Sequence, residues 1–338
     1  MQKVKTMSNC IKIKDKEQRK ALNSWASNGY VGSVVAGTGF GKSRVGVLAI
    51  GKMLELHIGT KGLVLVPTVQ LQDQFEEEFC KWGYEDILDR VDILCYQSAR
   101  KLVGQHYSVV VADEVHLGLS KEYIKFFENN TYDKLLCMTA TQPEDEDYKA
   151  KLFNMAPIVY EISLDECVDL GLVAPYKIYC LSTSLVDQEQ KDYKKANNMF
   201  LHYKYKLGQF DAFNEAKRIL ADSSSGSHEK QWAVLFYRAI RQRKTVVDFA
   251  VNKIDLIKKI VLLNASNRIL TFSGANEFTD QICEALDPLA LSYHSKKTKK
   301  QRDKALKDFK SGDVNVLCST KALNQGFDVP DADMGIIC

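Results

Sequence analysis

Residues 32 to 43 read Gly32-Ser33-Val34-Val35-Ala36-Gly37-Thr38-Gly39-Phe40-Gly41-Lys42-Ser43. An apolar run, a glycine-rich turn and a Lys-Ser pair opening a helical pattern describe a strand, a phosphate-binding loop and a helix N-terminus. Glycines let the backbone curl so that several N–H groups point at one centre, the helix dipole favours an anion there, and Lys42 can reach outer phosphates. Ser43 is then placed to hold Mg²⁺. The full eight-residue pattern begins with Gly and this chain has Ala36, so on its own the stretch leaves a flexible Gly-rich turn open. A second cluster, Val109-Val110-Val111-Ala112-Asp113-Glu114-Val115-His116, sets two carboxylates just past a buried strand, where open α/β sheets bind ligands. Asp113 can hold Mg²⁺ at the β- and γ-phosphates, and Glu114 can orient and deprotonate an attacking water. Alone the pair is equally an exposed acidic turn; downstream of a phosphate loop it completes a triphosphate-hydrolysis site.

The elements that must position these residues follow from periodicity. Ala21, Leu22 and Trp25 fall at helical spacing, so a helix running from about Asp15 and closed by Gly29 precedes the opening strand. The dozen residues before it are basic and expected to be loosely held. After the loop, apolar residues from Val45 to Met53 describe a helix packed on a sheet. Strands are expected at 62–66, 91–95, 108–112 and 134–138, with an amphipathic helix from Leu71 to Trp82. Nearly continuous apolar runs separated by helices signify a parallel sheet covered on both faces. The first lobe is expected to span 1–156.

A connector with Pro157 and Pro175 leads into a second α/β lobe, expected over 157–338. Ile178 to Leu181 reads as its first strand. A helical insertion follows over about 187–263, broken by the linker-like Ser223-Ser224-Ser225-Gly226-Ser227. Further strands are expected at 268–272, 289–293, 314–318 and 334–337, with a helix over 299–309. The expected fold is therefore α/β, two doubly wound parallel-sheet lobes with a helical insertion in the second.

With 338 residues, two domains fit a usual size of about 150 each. The net charge of +3 is too small to identify a polyanion partner by itself. Nine cysteines with no Cys-x-x-Cys pair read as free thiols in a reducing compartment, and neither a charged leader nor a long apolar span is present. A cytoplasmic protein with no membrane contact is expected. The apolar end at Cys338 is read as a truncation.

The two chemistry-bearing segments resemble motifs I and II of the superfamily 2 helicases, in the DExH form Asp113-Glu114-Val115-His116. That superfamily often carries Ala-Gly-Thr-Gly-x-Gly-Lys-Ser/Thr, which Ala36 to Ser43 matches. Thr139-Ala140-Thr141 resembles motif III, Val66 to Phe75 motif Ia, Tyr96-Gln97-Ser98 motif Ib, Ile269 to Ser273 motif IV and Ser319 to Pro330 motif V. Gln142 stands where the proline of motif III is usual. The resemblance implies two RecA-like lobes and an ATP- and Mg²⁺-dependent motor whose ATP lies between them. Lys42, Asp113, Glu114 and His116 are its catalytic residues. Gln18, Gly37, Thr38, Gly39, Gly41, Lys42, Ser43, Gly326 and Asp328 contact the nucleotide, Gln18 reading adenine. Ser43 and Asp113 hold the metal, and Thr139 and Thr141 couple the two sites. The arginine-bearing motif VI is expected after Cys338, so this chain is expected to bind nucleotide and hydrolyse it weakly.

The same resemblance implies DNA as partner, single-stranded, forked or branched, and a monomeric motor of the repair, recombination or branch-migration type, bacteriophage helicases included. Thr68, Gln70, Ser98, Ser273 and Thr320 are candidates for backbone contacts, with a helix-cap or turn role equally open for each. Arg241 and Arg243, in the basic run from Arg238 to Lys244, are candidates on the helical insertion. An RNA helicase and a duplex translocase that does not separate strands remain alternatives.

Overall fold

The computed structural model describes residues 2–208, 210–320 and 332–338, with side chains from residue 11 onward. Two compact units divide the chain, Met1–Ile178 and Tyr179–Cys338.

In the first unit α1 (Gln2–Ser27) runs further towards the N-terminus than periodicity suggests, and Gly29 (φ 70°) closes it before β1 (Val31–Ala36). There follow α2 (Lys42–Leu56), β2 (Gly62–Val66), α3 (Val69–Lys81), a 3₁₀ turn at Glu85–Arg90, β3 (Val91–Cys95) and α4 (Tyr96–Ala99). Next come β4 (His106–Tyr107), β5 (Val109–Ala112), α5 (Val115–Gly118), α6 (Lys125–Asn129), β6 (Thr131–Tyr132), β7 (Leu135–Thr139), α7 (Glu146–Met155), β8 (Ile158–Ile162) and α8 (Leu164–Asp169).

Six strands form one parallel sheet in the order β3-β2-β5-β7-β1-β8; β4 and β6 pair separately. Its central strands β2, β5 and β7 are buried along their whole length, because helices cover both faces. Alternation divides the core: Val64 and Val66 face Trp25, Phe40, Phe75 and Phe79, whereas Leu63 and Leu65 face Tyr96 and Phe126. Trp25 also ties α1 to the sheet, its Nε1–H donating to the Leu135 carbonyl at 2.9 Å.

In the second unit α9 (Asp187–Lys206), α10 (Ala212–Ala221) and α11 (Ser227–Asp248) share a small core that includes Ala216, Ile219, Ala233 and Phe236. Then come α12 (Val251–Leu263), β9 (Ile269–Phe272), α13 (Asn276–Ala285), β10 (Ala290–Tyr293), α14 (Lys299–Ser311), β11 (Val316–Ser319) and β12 (Met334–Ile337). The four strands form a parallel sheet in the order β10-β11-β9-β12.

Three expectations change. The first unit does not stop at residue 156, because β8 pairs with β1 and carries the unit on to Ile178. Ile178 to Leu181 forms no strand; Ile178, Tyr179 and Leu181 are exposed. The helices therefore precede the second sheet and do not interrupt it. Of the expected insertion, α9 to α11 pack on themselves, while α12 places Ile257 and Val261 in the core of the second sheet with Phe278 and Val316. Among the described residues no helix is long and apolar enough to cross a membrane, and no disulfide forms: Cys95, Cys137, Cys167 and Cys318 are buried thiols, Cys80 and Cys180 exposed ones.

Candidate nucleotide site

β1 delivers the loop residues to the C-terminal end of the sheet. Gly37 is buried against α8, and an added Cβ there would lie 3.2 Å from the Leu164 Cα, a backbone atom that cannot yield. Thr38 and Gly39 form the exposed tip. Phe40, at the free position of the motif, is wholly buried and packs its ring 5.9 Å from that of Tyr160 on β8, anchoring the loop in the core. Gly41 caps α2 in the left-handed conformation (φ 86°), and any side chain there would meet Gln18 Nε2 at 2.5 Å.

Lys42 opens α2 and folds back over the loop. Its Nζ donates to the Ala36 carbonyl at 3.1 Å and stands 3.8 Å from Glu114 Oε1. Ser43 occupies the next position of the same turn, half-buried. Motifs I and II, read as separate segments in the sequence, thus meet at one lysine.

β5 ends at Ala112, and Asp113 is buried immediately beyond it, with its backbone N–H on the Leu65 carbonyl at 2.9 Å. Burial, with the neighbouring Glu114 charge added and Lys42 opposing, pushes the Asp113 carboxyl up to about 7. Its Oδ1 is buried with no hydrogen-bond partner. An unpaired carboxylate oxygen in that position fits a bound cation, and the loop glycines fit the phosphates such a cation accompanies. Ser43 and Asp113 are the residues that would hold Mg²⁺; among the described residues no group of three or more acidic, His or Cys side chains is placed to hold a metal ion, here or elsewhere.

Glu114 takes a left-handed backbone conformation (φ 45°, ψ 51°), strained for a residue with a Cβ. The turn lets Asp113 and Glu114 point differently: Glu114 Oε2 accepts the Ala140 N–H at 3.4 Å and faces the Thr139 hydroxyl, also at 3.4 Å. His116 Nδ1 lies 3.0 Å from Thr139 Oγ1 and 3.4 Å from Glu114 Oε2, and Thr139 Oγ1 reaches the Thr141 carbonyl at 2.8 Å. Thr139 is fully buried at the end of β7, so motif III meets the acidic motif through the Thr139 hydroxyl and the Ala140 N–H. A cavity of about 470 Å³ opens on this side, lined by Val35, Gly37, Thr38, Ala140, Thr141 and Gln142 among others.

The other expected contacts disperse. Thr68 caps α3 without a side-chain hydrogen bond, its Oγ1 buried and unpartnered; Gln70 and Ser98 are exposed. Ser273 is buried and bonded to Thr279 Oγ1 at 2.6 Å and the Ala275 carbonyl at 2.9 Å, a turn role that leaves no free contact surface. Thr320 is buried too, its carbonyl accepting the Ser319 hydroxyl at 2.9 Å. Arg241 is exposed on α11, but Arg243 turns inward, its guanidinium 4.3 Å from the Phe200 ring. Gly326 and Asp328 lie outside the described residues.

The sequence gives no role to two residues that the fold brings to the loop, Lys14 and Arg44, and none beyond motif Ib to Tyr96, which the fold brings to Asp113. Lys14 Nζ donates to the Gly39 carbonyl at 2.7 Å, Arg44 Nη2 pairs with Asp15 Oδ1 at 2.7 Å, and Tyr96 donates its hydroxyl to the Asp113 carbonyl at 2.8 Å. The signal was present in part: Lys14 and Gln18 stand one helical turn apart, and Arg44 shares the first turn of α2 with Lys42.

Residues 12–144 match the family model described as Type III restriction enzyme, res subunit, and residues 252–338 the one described as Helicase conserved C-terminal domain. The second begins with α12, in agreement with the place of that helix in the second core. The chain is 27% identical to a DNA 3'-5' translocase XPB2 of Sulfurisphaera tokodaii, over 97% of its own length and 74% of that protein's. It is 23% identical to a putative DNA 3'-5' helicase Rad25 of Haloarcula marismortui and 24% identical to a 51.5 kDa protein of a Lactococcus phage, spanning 44% and 57% of their lengths. Among solved structures the Pyrococcus furiosus Hef helicase domain shares the fold, with a TM-score of 0.57 at 16% identity, covering 93% of this chain and 87% of that one. The meeting of motifs I, II and III, with a restriction-enzyme res-subunit model and a helicase C-terminal model met in sequence, supports an ATP-hydrolysing enzyme of superfamily 2 of the helicases with RecA-like lobes.

Proposed function

We infer that this chain is the motor of a DNA translocase or helicase, which binds ATP with Mg²⁺ at the loop between β1 and α2 and couples its hydrolysis to movement on DNA. The observation that supports this best is the hydrogen-bonded joint between Glu114, His116 and Thr139. The residue set to handle the attacking water is tied to the segment that begins the next motif, so a change at the phosphates is felt outside the nucleotide site.

In this reading the backbone N–H groups of the loop and Lys42 bind the outer phosphates. Asp113 and Ser43 would hold Mg²⁺, which when bound neutralises phosphate charge as it builds. Glu114, braced by Ala140 N–H, orients water and accepts its proton. Thr139 passes the change in Glu114 to Thr141. The described candidates for DNA are Gln70 and Ser98 on the first unit and Arg241 on α11, since the Thr68 hydroxyl is buried; they suit the phosphate backbone and not base edges. DNA as substrate is supported by the names of the two archaeal relatives; a preference for forked or branched forms is part of the proposal.

The test is ATP hydrolysis measured with single-stranded DNA, forks, four-way junctions and RNA of equal length, alongside strand separation on the same substrates. Stimulation by DNA above RNA supports the reading, and strand separation distinguishes a helicase from a duplex translocase. Stimulation by RNA alone, or by no nucleic acid, would overturn it.

A further inference from the structure

Gln18 stands where the family resemblance places an adenine-reading amide, and the structure gives it a different occupation. It is 1% exposed. Its Nε2 donates to the Phe40 carbonyl at 2.8 Å and the Gly41 carbonyl at 3.3 Å, using both amide protons, while its Oε1 accepts from Arg44 Nη1 at 2.5 Å. Arg44 is fixed in turn by Asp15 at 2.7 Å and by the Trp82 ring 4.2 Å beneath its guanidinium. With Lys14 on the Gly39 carbonyl, α1 grips three successive carbonyls, those of residues 39, 40 and 41, and Arg44 in the first turn of α2 holds Gln18 in place.

The consequence follows from peptide geometry. In a trans peptide the C=O and the next N–H point in opposite directions. Holding the Phe40 and Gly41 carbonyls against α1 therefore turns the N–H groups of Gly41 and Lys42 away from it, towards the side where an anion would sit. A Cβ at Gly41 would displace the Gln18 amide at 2.5 Å, which ties the glycine and the glutamine into one device.

We propose that Gln18 is a positioning residue that presets the phosphate loop, and that the nucleotide site selects on the triphosphate and not on the base, accepting purine and pyrimidine nucleoside triphosphates alike. This rests on the nucleotide-site reading above. A site that hydrogen-bonds a base edge rejects a base lacking the matching group by a factor of roughly 10⁴. A buried amide with both protons committed cannot impose that discrimination.

Equilibrium binding of ATP, GTP, CTP and inorganic tripolyphosphate to the full chain with Mg²⁺, by displacement of a fluorescent nucleotide, tests it. The wild-type chain is expected to bind the three nucleotides within about threefold of one another, far inside the range of base reading. Gln18→Ala and Gln18→Glu, which cannot donate to the two carbonyls, should weaken all four ligands by a common factor of about ten, leaving the ratios between nucleotides unchanged. A wild-type preference for ATP above about tenfold overturns the base-indifferent half of the proposal whether or not Gln18→Ala abolishes it. Unaltered tripolyphosphate affinity in both variants overturns the positioning half. Should the variants fail to fold, the wild-type ratios still decide on the base. Failure of all four ligands to bind the wild-type chain overturns the nucleotide site itself, an outcome distinct from a preference for ATP.

Discussion

Lys42 Nζ lies 3.8 Å from Glu114 Oε1 and donates to the carbonyl of Ala36 behind it, so the loop lysine already spans the first two motifs. Removing it takes away the positive charge nearest the acidic pair. Lys42→Ala is expected to lower ATP hydrolysis by a factor of about 10² or more while leaving DNA affinity close to wild type. A filter-binding titration beside the hydrolysis assay checks both, and loss of DNA affinity would mean that the loop has a different role.

Asp113 carries a pH dependence with a definite sign. Its carboxyl titrates at about 7 in the folded chain against 3.8 for the ordinary group, chiefly because it is buried. The folded state therefore holds the proton more tightly, and the stability this contributes is whole below the unfolded value and lost as pH rises through about 7. Asp113→Asn keeps a neutral group at every pH. Thermal unfolding should show the variant and wild type converging towards pH 4 and the variant gaining above pH 7, by an amount on the order of a few kcal/mol at roughly 1.4 kcal/mol per pH unit. Hydrolysis should be lost together with that gain. A variant less stable than wild type at pH 8 would contradict the assignment.

Thr139 connects Glu114, His116 and Thr141 through one oxygen. Thr139→Val keeps the shape and removes the hydroxyl, leaving the polar atoms around it without that partner. Stimulation of hydrolysis by DNA should fall by about 10-fold to 10²-fold, the scale of a misplaced catalytic group, with nucleotide binding retained. Thr139→Ser restores the oxygen and should restore most of the stimulation. Equal failure of both variants would point to packing in place of coupling.

The two arginines of α11 should separate. Arg241 is exposed, so Arg241→Ala is expected to reduce the salt dependence of DNA binding by about one unit of slope. Arg243 stacks on Phe200 and donates to the Tyr193 hydroxyl at 3.3 Å, so Arg243→Ala should leave that slope unchanged and cost about 1 kcal/mol of stability. Binding titrations at several salt concentrations and a melt of each variant distinguish the roles.

Much of the first sheet was legible because its central strands are buried on both faces, and uninterrupted apolar runs leave few other interpretations. β8 was missed for the converse reason: it is an edge strand, only its last residue is buried, and its sequence Ile158 to Ile162 carries a Tyr and a Glu. Ile178 to Leu181 has strand composition yet pairs with nothing, since composition reports what a strand tolerates and not whether a neighbour offers an edge. At the site, the loop and the acidic pair were visible as local motifs. The left-handed turn at Glu114, the inward Arg243 and the engagement of Gln18 were not, because each depends on a contact distant in sequence: Gln18 meets Phe40 and Arg44, Arg243 meets Tyr193 and Phe200.

Thr139 carries a single hydroxyl proton, and the acceptors within its reach include the Glu114 carboxylate at 3.4 Å and the Thr141 carbonyl at 2.8 Å. Only one can receive it. When the hydroxyl donates to the Thr141 carbonyl, the carboxylate is freer to take a proton from water; when it donates to Glu114, that carbonyl loses its partner while the Thr141 N–H still donates to Thr139 Oγ1 at 3.4 Å. These two arrangements exclude each other, and rotation about one C–O bond is enough to exchange them.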